Sequence, residues 1–127
     1  MTQLPCPRAW RVLASLLGLT AVALGAIAAH ALADPVASAA VERASTYQLI
    51  HAVVLWLATL CTGWAARCAR WALLAGMLLF CGAIYAKYLL SVSQAVAVAP
   101  TGGTLLMIGW LLLAISQLRD QNQADDH

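Results

Sequence analysis

The chain has few charged residues, and this scarcity determines its class. Only 9% of its 127 residues are Asp, Glu, Lys or Arg, whereas 63% are hydrophobic and the mean hydropathy is +0.82. A soluble domain has about a quarter charged and about half apolar residues. The composition therefore excludes an ordinary soluble domain and predicts an integral membrane protein, with membrane lipid rather than nucleic acid as its surroundings.

Motifs for catalysis and metal binding are also missing. The sequence contains no Ser-His-Asp set, carboxylate pair, H-E-x-x-H motif or glycine-rich phosphate loop. The four cysteines form no C-x-x-C motif, so neither a zinc site nor a disulfide framework is implied. Two histidines and one interfacial residue, Glu42, fall short of a convincing metal site, for which three protein ligands and a supporting second shell are expected. We therefore expect neither enzyme activity nor a metal site.

Uncharged tracts between the few charges are long enough to cross a bilayer. A hydrocarbon core of roughly 30 Å takes about 20 helical residues, and backbone groups in lipid must be hydrogen-bonded within a helix or a closed barrel. The tracts lack the alternation that is typical of barrel strands. The sequence predicts an all-α, integral membrane four-helix bundle with spans at about 10–32, 46–66, 71–90 and 101–118, followed by a polar tail at 119–127.

Two helix-start signals lie between the first and second spans. Asp34 followed by Pro35 is typical of an N-cap before the first helical residue. It predicts a short interfacial helix from Pro35 to about Ala44. Ser45 and Gln48 have the spacing of a capping box, so we expect the second span to begin there as a separate helix.

Most of the basic residues share one side of a four-span bundle. They are Arg8, Arg11, Arg67, Arg70 and Arg119. Only Arg43 and Lys87 lie on the other side. The positive-inside rule then predicts a multi-pass protein of a bacterial inner (plasma) membrane with both termini in the cytoplasm.

A cleaved signal peptide is an alternative for the first tract. Ala31-Leu32-Ala33 before Asp34 fits an A-x-A cleavage site after a basic start and an apolar run. The uncharged tract at 12–33 is longer than the apolar region of such peptides, which favours a retained helix.

Polar side chains concentrate toward the predicted outer boundary. At 1.5 Å per helical residue, His30 and Lys87 lie roughly 25 to 29 Å beyond Arg11 and Arg70. Tyr47, Gln48 and His51 open the second span, and their spacing predicts that they share one helix face. We hypothesise that the outer end holds a ligand-binding cluster. Its members are His30, Tyr47, Gln48, His51, Tyr85 and Lys87.

Most of these residues also have a simpler explanation. Lys87 fits a side chain that extends its ammonium group to the interface, and Tyr47 and Tyr85 fit an aromatic belt. His30 fits a boundary residue at a helix end. His51 lies deeper than a boundary residue needs, and polar groups at such depth tend to face the bundle and carry function.

Small residues recur at four- and three-residue spacing along the first span. They are Ala14, Gly18, Ala21, Gly25 and Ala28. Gly102, Gly109 and Ser116 form a similar line on the fourth span, and such lines allow helices to approach closely. Pro100 with Gly102 and Gly103 marks where the fourth span begins.

Five stretches of the chain resemble the motifs of a known family. They are GAIAAHAL at 25–32, YQLIHA at 47–52, FCGAIY at 80–85, APTGG at 99–103 and GWLLLAI at 109–115. In order and spacing they resemble the domain of unknown function 423 family, the YgdD-like small membrane proteins, for which no activity is established. Ile27, Ala28, Ala83 and Thr101 depart from that family's usual residues without affecting the expected fold.

The resemblance implies four transmembrane helices. The residues that it singles out are Gly25, His30, Tyr47, His51, Gly82, Tyr85, Pro100, Gly102 and Gly103. Together with the lines of small residues, it gives a set that we expect to build the fold. This set is Gly18, Gly25, Gly82, Pro100, Gly102, Gly103 and Gly109.

Three functions from different classes remain open. The one that we favour is a binding module for an amphipathic ligand, a quinone or a lipid headgroup, held by the imidazole and phenol groups of the cluster. Haem b bound by His30 and His51 is a variant of it. The first alternative is an accessory or assembly subunit of a larger, respiratory-type membrane complex, docked through Gly and Ala faces. The second is a homo-oligomeric small-solute or proton-linked transporter, which the lack of a carboxylate inside the spans disfavours.

Overall fold

The fold is an antiparallel bundle of four long helices, seen in a computed structural model that describes residues 7–125. The helices are α1 (Pro7–Ala31), α2 (Pro35–Leu57), α3 (Gly63–Leu89) and α4 (Ala99–Asp125). Short 3-10 helices at Ala58–Leu60 and Ser93–Val98 precede α3 and α4. Because the connections are short, consecutive helices run in opposite directions.

The antiparallel order brings the five arginines of the sequence prediction to one end of the bundle. We call this end, where α1 and α3 begin and α2 and α4 finish, the arginine end. The opposite end carries the connections at 32–34 and 90–98, and we call it the connection end. The charge separation on which the positive-inside argument depends is thus a property of the fold.

Three helical segments within residues 7–125 are long and apolar enough to cross a membrane. They are Pro7–Ala31, Gly63–Leu89 and Ser93–Arg119. The fourth helix, α2, is of similar length but carries Glu42 and Arg43 in its first half. The prediction of an all-α membrane bundle is confirmed.

The start of α2 corrects the sequence prediction. One continuous helix runs from Pro35 to Leu57, so no separate interfacial helix precedes a new helix start at Ser45. The hydroxyl groups of Ser45 and Thr46 donate to the carbonyl oxygen of Glu42, at 2.7 and 3.0 Å. Hydroxyl groups bond in this way to the preceding turn of a helix, so they neither cap nor interrupt it.

The cap at Asp34 is present as predicted. Its carboxylate accepts hydrogen bonds from the backbone N–H groups of Val36 and Ala37, at 3.4 and 3.0 Å. The hydroxyl group of Ser38 donates to the carbonyl oxygen of Ala28 at 2.8 Å, which ties the first turn of α2 to the last turn of α1.

Helix ends elsewhere also differ from the predicted spans. Residues 63–66, assigned by the prediction to the second span, belong to α3, because the chain turns at Gly63 with φ +88°. Glycine adopts this left-handed conformation without steric cost. At the other end, α4 continues to Asp125 through most of the predicted polar tail, of which residues 126 and 127 lie outside the described residues.

The closest helix approach is between α3 and α4. A Cβ atom on Gly76 would lie 2.8 Å from the carbonyl oxygen of Gly102, and one on Gly109 would lie 2.7 Å from Cγ of Leu73. Gly102 and Gly109 come from the predicted set, whereas Gly76 was not predicted. By contrast, a Cβ atom on Gly103 would make an ordinary contact of 3.9 Å with the ring of Phe80.

The predicted line of small residues on α1 faces α2. Ala14, Ala21 and Ala28 are buried, and a Cβ atom on Gly25 would lie 3.1 Å from Oγ of Ser45. At Gly18 the added atom would meet its nearest neighbours only at 3.9 and 4.0 Å. Two helix pairs, α1 with α2 and α3 with α4, therefore form the bundle, with α2 packed on α3 between them.

We expect Gly102→Ala to destabilise the bundle, whereas Gly82→Ala has little effect on its stability. The new methyl group at Gly102 would overlap the backbone nitrogen of Phe80, and it would lie 2.9 Å from the carbonyl oxygen of Gly76. Overpacking of this kind costs about 1–3 kcal/mol. A methyl group at Gly82 meets no atom within 4 Å. The free energy of unfolding in mixed detergent micelles measures both effects, and equal losses would contradict the close approach.

Candidate ligand-binding site

Contacts between α1 and α2 fix the level of each polar side chain along the bundle. From the connection end to the arginine end, the facing residues are Ala28 with Ser38, Gly25 with Ser45, Leu17 with Gln48 and Arg11 with Thr59. His30 therefore lies at the connection end. His51 lies deeper, because the next residue, Ala52, faces Gly18. The twelve residues from Gly18 to His30 span about 18 Å, too far for both imidazoles to bind one haem iron.

Gln48 is a buried cross-link between α2 and α1, with only 5% of its surface exposed. Its amide nitrogen donates to the carbonyl oxygen of Leu17 and to the hydroxyl oxygen of Thr20, both at 2.8 Å. No group within residues 7–125 donates a hydrogen bond to the amide oxygen of Gln48. The side chain therefore braces the helix pair and keeps one acceptor for another group.

The hydroxyl group of Tyr85 is buried and has no hydrogen-bond partner in the part of the chain that the structure describes. Tyr85 and Gln48 line the same cavity of about 210 Å³ between α1, α2 and α3. The other lining residues are Leu17, Thr20, Leu24, Met77, Leu78, Cys81 and Gly82. We call this space the Gln48–Tyr85 cavity. A small, mostly apolar space with three polar groups can hold an oxygen-bearing group of a larger molecule.

His51 and Tyr47 lie on a different side of α2 from this cavity. The imidazole of His51 is buried, with Nδ1 2.6 Å from the carbonyl oxygen of Tyr47 and Nε2 3.2 Å from the indole nitrogen of Trp110. A carbonyl only accepts and an indole N–H only donates, so the neutral imidazole with its proton on Nδ1 is assigned. Both ring nitrogens are thus engaged, and His51 joins α2 to α4.

The prediction that Tyr47, Gln48 and His51 share one face of α2 is therefore wrong for Gln48. Tyr47 and His51, four residues apart, do lie together, and the ring centroid of Tyr47 is 5.5 Å from that of Phe80 on α3. Gln48 follows Tyr47 directly, and adjacent residues of a helix do not face the same way. It points to α1 instead.

His30 and Lys87 lie at helix ends, outside the lining of the Gln48–Tyr85 cavity. His30 is exposed in the last turn of α1. The ammonium group of Lys87 lies 5.0 Å from the ring centroid of Tyr88. The predicted cluster thus divides into three groups. Gln48 and Tyr85 line the cavity, His51 with the neighbouring Tyr47 is linked to Trp110, and His30 and Lys87 lie separately at helix ends.

Two residues of these sites, Thr20 and Trp110, were not predicted from the sequence. Thr20, a hydroxyl residue in an otherwise apolar stretch of α1, lines the cavity and accepts a bond from Gln48. Trp110 bonds to His51 from within α4. A signal for Trp110 was present, since an indole away from a membrane boundary needs an acceptor for its N–H group.

The chain is similar in sequence to a known protein family and to several of its members. The model of a family described as proteins of unknown function, DUF423, matches residues 24–103. A UPF0382 membrane protein of Staphylococcus epidermidis is 35% identical over 114 residues, covering 85% of this chain and 93% of the relative. Another from Haemophilus influenzae is 34% identical over 116 residues, covering 87% and 94%. No solved structure matches the chain significantly.

The bond between His51 and Trp110 predicts that the two side chains stabilise the bundle together. A double-mutant cycle with His51→Leu and Trp110→Phe should give a coupling free energy of about 0.5–1.5 kcal/mol, the usual contribution of a hydrogen bond. Trp64→Phe, at the arginine end, serves as the control partner and should be additive with His51→Leu. Unfolding in mixed micelles provides the free energies, and additivity of the first pair would contradict the bond.

Proposed function

The chain belongs to the DUF423 family of membrane proteins, and we propose that it binds an amphipathic membrane ligand in the Gln48–Tyr85 cavity. The observation that carries the proposal is the buried hydroxyl group of Tyr85, which lacks a partner within residues 7–125. An unpaired buried hydroxyl costs about 1–3 kcal/mol. A ligand oxygen that accepts its hydrogen bond removes this cost.

The polar groups of the cavity favour particular ligand chemistry. The hydroxyl group of Tyr85 donates a hydrogen bond, whereas the free amide oxygen of Gln48 accepts one. A ligand hydroxyl group can pair with both, and a quinone or ester carbonyl can pair with Tyr85. The proposed ligand class is therefore a quinone, a quinol or a lipid with a hydroxyl or ester group at its head.

The size and position of the cavity fit a ligand that is only partly enclosed. Its volume of about 210 Å³ is below the 300–1,000 Å³ or so of sites that enclose a whole small molecule. Trp10 and Trp71 join α1 to α3 at the arginine end, with ring centroids 4.9 Å apart. The cavity lies between the same helices nearer the connection end. We infer that the ligand enters between α1 and α3 from the membrane and leaves its apolar tail in lipid.

We expect Tyr85→Phe to reduce retention of the co-purified ligand by roughly tenfold, because loss of one hydrogen bond of about 1–1.5 kcal/mol has that effect. Native mass spectrometry of the protein in mild detergent measures the retention. Tyr88→Phe is the matched control, since Tyr88 lies outside the cavity lining. Gly82→Leu, which fills the cavity, should abolish retention.

A stability measurement separates this role from a purely structural one. Tyr85→Phe removes an unpaired hydroxyl group, so the ligand-free protein should be as stable as before or more stable. Unchanged ligand content in both Tyr85→Phe and Gly82→Leu would refute the proposal. A second polypeptide that co-purifies in place of a lipid-like ligand would favour the accessory-subunit alternative.

We also propose that the arginine end faces the cytoplasm of a bacterium, as the positive-inside rule predicts. In a variant without the four native cysteines, His30→Cys should react with a membrane-impermeant maleimide added outside spheroplasts. Gln121→Cys, which is exposed near the end of α4, should react only after the membrane is opened. The reverse pattern would overturn the orientation.

A further inference from the structure

We infer that the bundle has a second site, which holds an anionic phospholipid at the arginine end of the α1–α2 groove. Arg11 binds the phosphate group, and the groove takes an acyl chain. The site is separate from the Gln48–Tyr85 cavity, shares only α1 and α2 with it, and does not rest on its function.

The groove is an apolar channel of about 310 Å³ along one side of the α1–α2 pair. It is lined by Ala14, Ser15, Gly18, Ala52, Val53, Trp56 and Leu57. Its small residues, Ala14, Gly18 and Ala52, come from both helices, and its larger residues come from the second half of α2. In a membrane, a concave apolar surface of this kind is filled by a hydrocarbon chain.

Arg11 lies at the end of this groove, one helical turn before Ser15. Its guanidinium carbon is 5.2 Å from the ring centroid of Trp56, a residue that lines the groove. Its Nε group donates to the hydroxyl oxygen of Thr59 at 2.9 Å. These two contacts orient the side chain, while its terminal NH₂ groups donate to no acceptor among the backbone groups and side chains that the structure describes. A guanidinium fork of this kind matches the geometry of a phosphate.

The surroundings of Arg11 contain few negative groups to balance its charge. Glu42 lies seventeen residues before Thr59, about 25 Å along the helix. Asp120 and Asp125 belong to the last turns of α4, which packs on α3 rather than on α1. Arg70, at the same end, donates through one terminal nitrogen to the carbonyl oxygens of Ala58 and Cys61, at 3.0 and 3.4 Å, and its Nε is buried without a partner among the described residues. A phosphate from outside the chain is therefore the complementary partner of Arg11.

The groove distinguishes a phospholipid from free phosphate. A free anion gains only the contact with the guanidinium group, whereas a phospholipid also fills the apolar channel beside it. A headgroup with net negative charge is favoured over a zwitterionic one, because basic clusters of this kind attract anionic lipids at the membrane surface. The expected order of affinity is phosphatidylglycerol, then phosphatidylethanolamine, then inorganic phosphate.

Native mass spectrometry of the full-length protein, titrated with each of these three probes, tests the site. Arg11→Gln should weaken phosphatidylglycerol binding at least tenfold. Arg8→Gln is the matched control, because it removes the same charge from an exposed residue outside the groove lining, and it should change binding less than twofold. Gly18→Leu, which fills the groove, should weaken lipid binding without changing the response to phosphate.

Arg11→Lys keeps the positive charge and therefore serves as the control for a folding defect in Arg11→Gln. It should weaken phosphatidylglycerol binding about threefold, because an ammonium group lacks the fork. Equal losses in Arg11→Gln and Arg8→Gln would overturn the site in favour of general surface charge. Displacement of the lipid by an equal concentration of inorganic phosphate would show a free-anion site instead. Unchanged lipid binding in Gly18→Leu would overturn the role of the groove.

Discussion

A polar group inside a membrane has no water to bind, so it must find its hydrogen-bond partner within the protein. The interior of this bundle follows that constraint almost throughout. Gln48 donates to α1, and His51 bonds to its own helix and to Trp110. Arg70 donates through one terminal nitrogen to carbonyl oxygens at the end of α2, while its buried Nε has no partner among the described residues. Apart from the bond of His51 to Tyr47 within α2, these bonds also fix how the helices meet, since they join α2 or its end to another helix. Arg70 makes other hydrogen bonds, whereas the hydroxyl group is the sole polar group of the Tyr85 side chain, has no partner among the described residues and belongs to a residue that lines a cavity.

The distribution of small residues explains where the open spaces lie. Glycines allow α3 and α4 to approach until backbone meets backbone at Gly76 and Gly102. Small residues on α1 allow a similar pairing with α2, whereas no such line of small residues joins α1 to α3. The Gln48–Tyr85 cavity forms where these two helices are held apart by α2 between them. Gly82 contributes by its missing side chain, which leaves the wall of the cavity open rather than bringing two helices together.

Much of the fold could be predicted from local signals in the sequence. Apolar length predicted the membrane helices, and Asp34 before Pro35 predicted the start of α2, because a cap depends on residues only a few positions apart. The signal at Ser45 misled because a serine hydroxyl serves equally well inside a helix, bonded to the preceding turn. Whether such a serine caps a new helix or lies inside an existing one depends on the residues before it, and residues 36–44 contain no proline or glycine that would end the helix. The sequence indicates that the indole of Trp110 needs an acceptor, but its pairing with His51 could not be predicted, since nothing local connects α2 to a residue on α4.

The two ends of the bundle differ in how their polar groups are satisfied, and this difference decides what each end can bind. Near the connection end, the cavity offers neutral groups, the phenol of Tyr85 and the amide of Gln48, which suit an uncharged ligand oxygen. At the arginine end, guanidinium groups lie against indole rings, as with Arg11 over Trp56 and Arg119 over Trp64, at 5.2 and 5.7 Å. An aromatic face attracts a cation without neutralising it. Such pairs therefore hold positive charge in place and leave it available to the phosphate groups of the adjacent leaflet.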